Sequence, residues 1–217
     1  MLKKHNLPQS EIDRLSPTVG RMFLQWDDFM LRRVRFNMAE SKIHAEAHCE
    51  RVLLYALIMG EQIFGDNDEA LTILAQAAVF HDTRRQDDYL DTGHGARASI
   101  YYREFCKENP DVAFHPEVVY LMRYHDLDDK MGRAAIEKEF GADSPRVLKL
   151  YDVFKDADAL DRWRLGHNGL DPKFLRTVEA KRLINYARCI VQETMPEDLL
   201  KEVERQVDEI IAKHKKS

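Results

Sequence analysis

Residues 71–82 read LTILAQAAVFHD. At about 100° per residue the apolar side chains of this run cover almost every side of a helix before it ends in the pair His81–Asp82. Such a helix has no face to offer water and must be enclosed by others. A second apolar run, VLLYALIMG at 52–60, sits between Arg51 and Glu61 inside a helix expected over 41–64. Ser41 suits its N-cap and Gly65 closes it. Helical periodicity continues outward in both directions: 17–36 before it, 68–82 for the enclosed helix itself, and a loop over 84–93. Further helices are expected over 95–108, 116–126, 129–140, 144–166, 172–193 and 196–213, with a turn at 169–172. Pro116 and the Ser144–Pro145 pair suit helix openings. The pattern contains no convincing strand, and the fold class it predicts is all-α, a single-domain helical bundle. An N-terminal arm is expected over 1–20, ahead of a helical domain over 21–217 whose last helices, 172–213, pack on a core drawn from 40–165.

Composition agrees with this. The chain has 217 residues, 44% hydrophobic and 33% charged, which excludes intrinsic disorder and suffices for a sizeable core. Nine Gly and seven Pro leave few turn signals, so long helices are favoured over many short strands. A net charge of −5 argues against a general nucleic-acid binder. Three scattered cysteines, Cys49, Cys106 and Cys189, form neither a disulfide framework nor a zinc ribbon. The start MLKKHNLPQSEIDRL lacks the apolar stretch of a signal peptide, and no run is long enough to cross a bilayer. A cytoplasmic protein is expected, with no membrane partner.

The informative residues break the binary pattern of their helices. His48 shares a stripe with Val52, Tyr55 and Met59, and His44 lies one turn earlier. Asp158 aligns with Val147 and Phe154 and is expected to point inward, whereas Asp156 points to the opposite side and is expected to be solvated. His125 follows Val118, Leu121 and Met122 on one face. Burying several imidazoles and carboxylates is costly unless each finds a partner, and a shared divalent metal would answer all of them together. Nitrogen and oxygen ligands of this kind suit Mn, Fe, Co, Ni or Zn. For any one of these histidines, the ordinary alternative is a core imidazole bonded to a carbonyl. A zinc-protease reading of His44-Ala-Glu46-Ala-His48 fails, because the glutamate does not directly follow the first histidine.

The order His48 … His81–Asp82 … Asp158 resembles the HD-domain superfamily of metal-dependent phosphohydrolases. His48 sits in HCERV, like the H-x-x-R-V of that family's first helix. His81–Asp82 ends AAVFHDT, like A-A-L-x-H-D-x, and Asp158 lies in DADALD, like the A-D-x-L segment. The resemblance covers roughly residues 40–165 and implies an HD-type bundle. It also implies His48, His81, Asp82 and Asp158 as ligands of one divalent metal, one of those above or Mg, with a second metal admitted. A metal-bound hydroxide would then attack phosphorus, with Asp82 orienting the water, in a phosphomonoesterase or phosphodiesterase acting on a small, nucleotide-like phosphate ester. Arg84 and Arg85 follow the HD pair and are the cationic groups expected to serve catalysis. Arg97 lies one turn beyond His94, at a helix start that itself favours an anion, and is expected to bind substrate. His94 and His125 stand where two-metal relatives carry extra histidines, and are expected as substrate-phosphate ligands or, failing that, as ligands of the second metal. Arg51 either reaches the same cleft to bind substrate or forms a structural salt bridge. Asp87 and Asp88 are either general acids or a plain acidic loop.

Departures narrow the substrate. Relatives that hydrolyse guanosine tetraphosphate carry HDTxED where this chain has His81-Asp82-Thr83-Arg84-Arg85-Gln86. Deoxynucleoside monophosphatases carry glutamate at the place of Arg85, and the Gly-Tyr-Pro extension of cyclic-dimeric-GMP phosphodiesterases is absent. The alternative from another class is a regulatory protein that keeps the fold and binds a phosphorylated ligand without turnover. Phe23, Trp26, Phe29 and Met30 read as a core stripe or, alternatively, a homodimer seam, and Val203, Val207, Ile210 and Ile211 as the apolar face of the last helix.

Overall fold

The computed structural model describes residues 5–214, with side chains up to residue 209, and among these every regular element is helical. The expected all-α, single-domain bundle is the fold. In chain order the helices are α1 (Gln9–Ile12), α2 (Pro17–Arg33), α3 (Glu46–Phe64), α4 (Asp68–Phe80), α5 (His94–Glu108), α6 (Pro116–Arg123), α7 (Asp129–Phe140), α8 (Ser144–Leu160), α9 (Val178–Thr194) and α10 (Glu197–His214). Tighter 3₁₀ turns follow α7 and α8, at Gly141–Asp143 and Asp161–Leu165, and another lies at Pro172–Phe174. No helix among the described residues is long and apolar enough to cross a membrane.

Helices α3 and α4 form the axis, and α2, α8 and α9 close around α3. Every α4 residue from Leu71 to Phe80 except Thr72 is buried, as an all-round apolar helix requires. The two axial helices touch closely at Gly60, where a Cβ would lie 2.6 Å from Leu74 Cδ1 and 2.9 Å from Leu71 Cδ2. On α2 the buried positions Val19, Met22, Phe23, Trp26 and Met30 keep helical spacing, and Ser16 caps the helix by accepting from Val19 N. That stripe is core, with Phe29 packed against it.

Several boundaries move, each for a tertiary reason. Helix α3 starts at Glu46, not at Ser41. The Ser41 hydroxyl accepts from Ile43 N and His44 N and donates to Asp88 in the loop after α4, which holds residues 42–45 in bends. The 144–166 helix is an α-helix only to Leu160 before tightening to 3₁₀. The described part of the N-terminal arm is docked rather than free. Leu7 and Ile12 are buried, and Asn6 N and Leu7 N donate to the Glu50 carboxylate at 2.7 and 2.9 Å. Residues 1–4 of the arm, the side chains of Ile210 and Ile211, and residues 215–217 lie outside the described part. Val203 is buried beside Val191 and Met195.

Asp156 corrects the sequence reading. It does point away from Asp158, but the turn leading into α9 covers that side and leaves it 0% exposed. Its carboxylate accepts from Arg176 N, Thr177 N and the Thr177 hydroxyl, so it anchors the residue that N-caps α9. A buried carboxylate with that many donors is satisfied without water.

Candidate metal centre

Five helices deliver histidines and aspartates to one place near one end of the α3–α4 axis. His48 comes from the first turn of α3, His81 and Asp82 from the end of α4, His94 from the start of α5, His125 from just beyond α6 and Asp158 from the last turn of α8. The glycines at α5 make the convergence sterically feasible. Gly93 precedes His94 with φ 90°, a conformation that L side chains avoid. A Cβ at Gly95 would collide with the Met122 carbonyl and stand 2.7 Å from His125 Nδ1. Only glycine lets α5 approach the end of α6 closely enough to bring His94 to His125.

The four imidazoles are oriented alike. His81 Nδ1 faces the Ala78 carbonyl at 2.8 Å, His125 Nδ1 the Met122 carbonyl at 2.6 Å, His94 Nδ1 the Asp91 carbonyl at 2.5 Å, and His48 Nδ1 the Asp161 carboxylate at 2.7 Å. Carbonyl and ionised carboxylate oxygens only accept, so each Nδ1 carries a hydrogen and each ring turns its Nε2 toward the others. These nitrogens meet in two pairs: His48 Nε2 lies 3.1 Å from His81 Nε2, and His94 Nε2 lies 2.9 Å from His125 Nε2. Ring nitrogens that close need a proton or a cation between them. Two nitrogens each about 2.1 Å from a common ion lie roughly 3 Å apart, which is the spacing seen.

Asp82 sits between the pairs. Its Oδ1 is 3.0 Å from His94 Nε2, 3.7 Å from His125 Nε2 and 3.8 Å from His81 Nε2, while Oδ2 is 3.5 Å from His48 Nε2. Despite these neighbours Oδ1 is buried with no hydrogen-bond partner of good geometry. Asp158 stands beside the first group, its Oδ1 3.4 Å from His48 Nε2. Its side chain is 29% exposed, so the cluster opens to solvent on that side. The residues thus make two trios, His48–His81–Asp82 and Asp82–His94–His125, each able to hold a metal ion.

Electrostatics leaves His81 neutral and the two carboxylates ionised, while burial of His125 is outweighed by its hydrogen bond to Asp82, which raises it. Burial drives His81 down to about 3, so the ring is neutral. Burial opposes ionisation of Asp82 and Asp158, but the surrounding imidazoles outweigh it and hold both well below the usual carboxylate range. A neutral imidazole and an ionised carboxylate are the forms that bind metals.

A supporting layer lies behind His48, and the sequence reading did not include its central residue. Asp161, 0% exposed, accepts from His48 Nδ1 and from Arg51 Nε and Nη2 at 2.6 and 3.0 Å. The signal was available, since Asp161 follows Asp158 by one helical turn. Arg51, expected either in the cleft or in a salt bridge, makes the salt bridge. Asp126 is likewise buried, accepts from Gly93 N and lies 3.5 Å from His94 Nδ1. His44 is buried before α3, with its ring centroid 6.1 Å from that of His48 and Nδ1 3.1 Å from Asp88.

The expected arginines separate. Arg85 reaches the cluster, its Nη1 3.8 Å from Asp82 Oδ1 and 3.4 Å from both His94 ring nitrogens, while Nη2 holds the Tyr89 carbonyl. Arg84 is not brought to the site. Its guanidinium stacks 3.3 Å over the Tyr101 ring and donates to the Arg35 carbonyl. Arg97 is spent on the loop, donating to the Asp91 carboxylate and the Arg84 carbonyl. Asp88 is tied to Ser41 and His44, and Asp87 accepts from Tyr89 N.

Comparison with protein-family models, curated proteins and solved structures finds no match. The chemistry of the cluster must therefore carry the functional reading.

Proposed function

We propose that this chain is a metal-dependent phosphohydrolase of the HD type, cleaving a small, nucleotide-like phosphate ester. One observation carries the reading: four imidazoles, each with an acceptor at Nδ1, turn their Nε2 atoms onto the buried Asp82 carboxylate, three about Oδ1 and that of His48 toward Oδ2. This is the arrangement that orients metal-bound histidines, and a cation there would satisfy the four buried Nε2 atoms together. His48, His81, Asp82 and Asp158 would hold one divalent cation. His94 and His125 form a trio with Asp82 that suits a second cation better than a phosphate oxygen. Divalent cations in such a site supply Lewis acidity toward phosphoryl oxygens and lower the pKa of water.

The chain's own residues do the rest. Asp82, held ionised by its imidazole neighbours, accepts a hydrogen bond from the attacking water with an oxygen not engaged by a cation and so orients it. Arg85 donates to a non-bridging phosphoryl oxygen, and the pull of Tyr89 and Asp87 carbonyls on its remaining hydrogens fixes the fork. Arg51 acts only through Asp161, keeping the His48 tautomer.

The test is metal content of purified wild type and Asp82→Ala, followed by hydrolysis of nucleotides, diesters and sugar phosphates with Mn, Co, Ni and Mg. The expected result is one to two equivalents of transition metal in wild type, about a tenth of that or less in Asp82→Ala, and a metal-dependent hydrolysis that the variant lacks. Wild type that binds no metal after incubation with Mn or Fe(II) overturns the proposal. Metal binding with no turnover on the panel favours the regulatory alternative.

A further inference from the structure

Two His–Asp dipeptides occur in the chain, His81–Asp82 and His125–Asp126. Both histidines join the cluster, but the two aspartates face opposite ends of the His94 ring. Asp82 Oδ1 meets it at Nε2, whereas Asp126 Oδ2 stands behind it, 3.5 Å from Nδ1. The same Asp126 oxygen accepts from Gly93 N. One carboxylate, its side chain 6% exposed, therefore ties the residue after His125 to the residue before His94.

Holding Gly93 N accounts for one oxygen only. Asp126 Oδ1 is buried with no hydrogen-bond partner. An asparagine would serve Gly93 N equally without bringing a charge into the interior. Nor does Asp126 set the His94 tautomer, because the Asp91 carbonyl at 2.5 Å takes the Nδ1 hydrogen. What remains unexplained is the negative charge. The first trio has Asp158 beside it and Asp161 behind His48, in addition to Asp82. The second has Asp82 as its only carboxylate and faces a guanidinium, with Arg85 Nη1 3.4 Å from both His94 ring nitrogens. A divalent cation on Asp82, His94 and His125 would be repelled by Arg85 in an interior that screens charge weakly. A carboxylate behind the imidazole offsets that repulsion and makes the ring a stronger ligand.

We propose that Asp126 is a positioning residue of the second trio: it holds His94 to His125 through Gly93 and supplies the negative charge that lets a second divalent cation bind beside Arg85. This rests on the metal reading of the cluster and deepens it at the second position alone.

Mn(II) is the probe, titrated calorimetrically into metal-free full-length protein, with bound metal counted afterwards and thermal unfolding measured alongside. Asp126→Asn keeps an acceptor for Gly93 N and removes the charge. It is expected to weaken the second equivalent about 10- to 100-fold, with the first equivalent and the melting temperature unchanged. Adding Arg85→Met to Asp126→Asn should restore part of that loss, a coupling that a backbone staple alone would not produce. Asp126→Ala, which also loses the staple, should lose the second equivalent altogether. Should that variant fail to fold, Asp126→Asn decides alone. An Asp126→Asn protein that titrates like wild type overturns the inference by leaving Asp126 a staple only, and equal weakening of both equivalents overturns it as general loosening. A single equivalent in wild type overturns it while sparing the first metal position, and no metal at all sinks both readings. Two equivalents that depend on Asp126, with no turnover of any ester, sink only the hydrolase.

Discussion

The two trios share Asp82 but are built differently. His48 and His81 belong to the axial helices, and the ring of His48 is steadied by a side-chain layer, Asp161 with Arg51 behind it. His94 and His125 stand at the start of one helix and just past the end of another, and each is steadied by a carbonyl three residues back. The first trio is anchored in the core and the second at a joint between α5 and α6. The difference teaches that the two positions should respond to different kinds of damage: loss of buried charge pairing for the first, loss of backbone proximity for the second.

The variants that test this contrast fall in a descending order of effect. Asp82→Ala, which strikes both trios, should abolish metal binding as stated above. Asp161→Ala should damage only the first. Arg51 is left buried and unpaired, at a cost of about 3–5 kcal/mol in urea denaturation, and metal affinity at the His48 position should fall about 10- to 100-fold. If Asp161→Ala instead lowers both positions equally, the trios are not separately supported. Gly95→Ala should damage only the second. The added methyl forces α5 off α6, with a stability loss of about 1–3 kcal/mol and metal stoichiometry reduced by the His94–His125 share. Unchanged stoichiometry in that variant would show that the joint yields without moving His94.

The variant with least effect on the metal centre lies outside it and supplies a baseline. Asp27 is buried near Glu50, Asp28 and Glu46, and burial first and those charges next push its carboxyl up to about 8. The folded state therefore holds a proton that the unfolded chain releases above its ordinary value of 3.8. Stability from this group is full below about pH 4 and is lost as pH rises toward about 8. Asp27→Asn should flatten that decline in denaturation curves. A slope unchanged by the substitution would mean that Asp27 is ionised when folded. Asp161 behaves in the opposite way. Burial opposes its ionisation, yet Arg51 and His48 keep its pKa low.

Most of this was legible where a local rule sufficed. Helical periodicity places His48 and Asp158 on apolar stripes, and the all-round apolar run ending in His81–Asp82 requires a buried helix whose end projects polar groups into the interior. Legibility fails where the deciding partner is remote in sequence. Nothing near Arg51 announces Asp161, and nothing near Asp156 announces the turn that covers it. The bond from Ser41 to Asp88 delays α3 by several residues although the serine itself suits a cap. Arg84 and Arg85 are neighbours in sequence, yet an aromatic ring on α5 takes one and leaves the other to the cluster.

Asp82 being common to both trios has a thermodynamic consequence. Occupancy of the two positions is one linked equilibrium, so whatever factor filling the first imposes on the second, the second imposes on the first. A carboxylate drawn toward one ion offers less charge to the other, whereas a carboxylate already ordered by one costs less to order for the next. The shape of a metal titration, steeper or shallower than that of independent sites, reports which of these prevails.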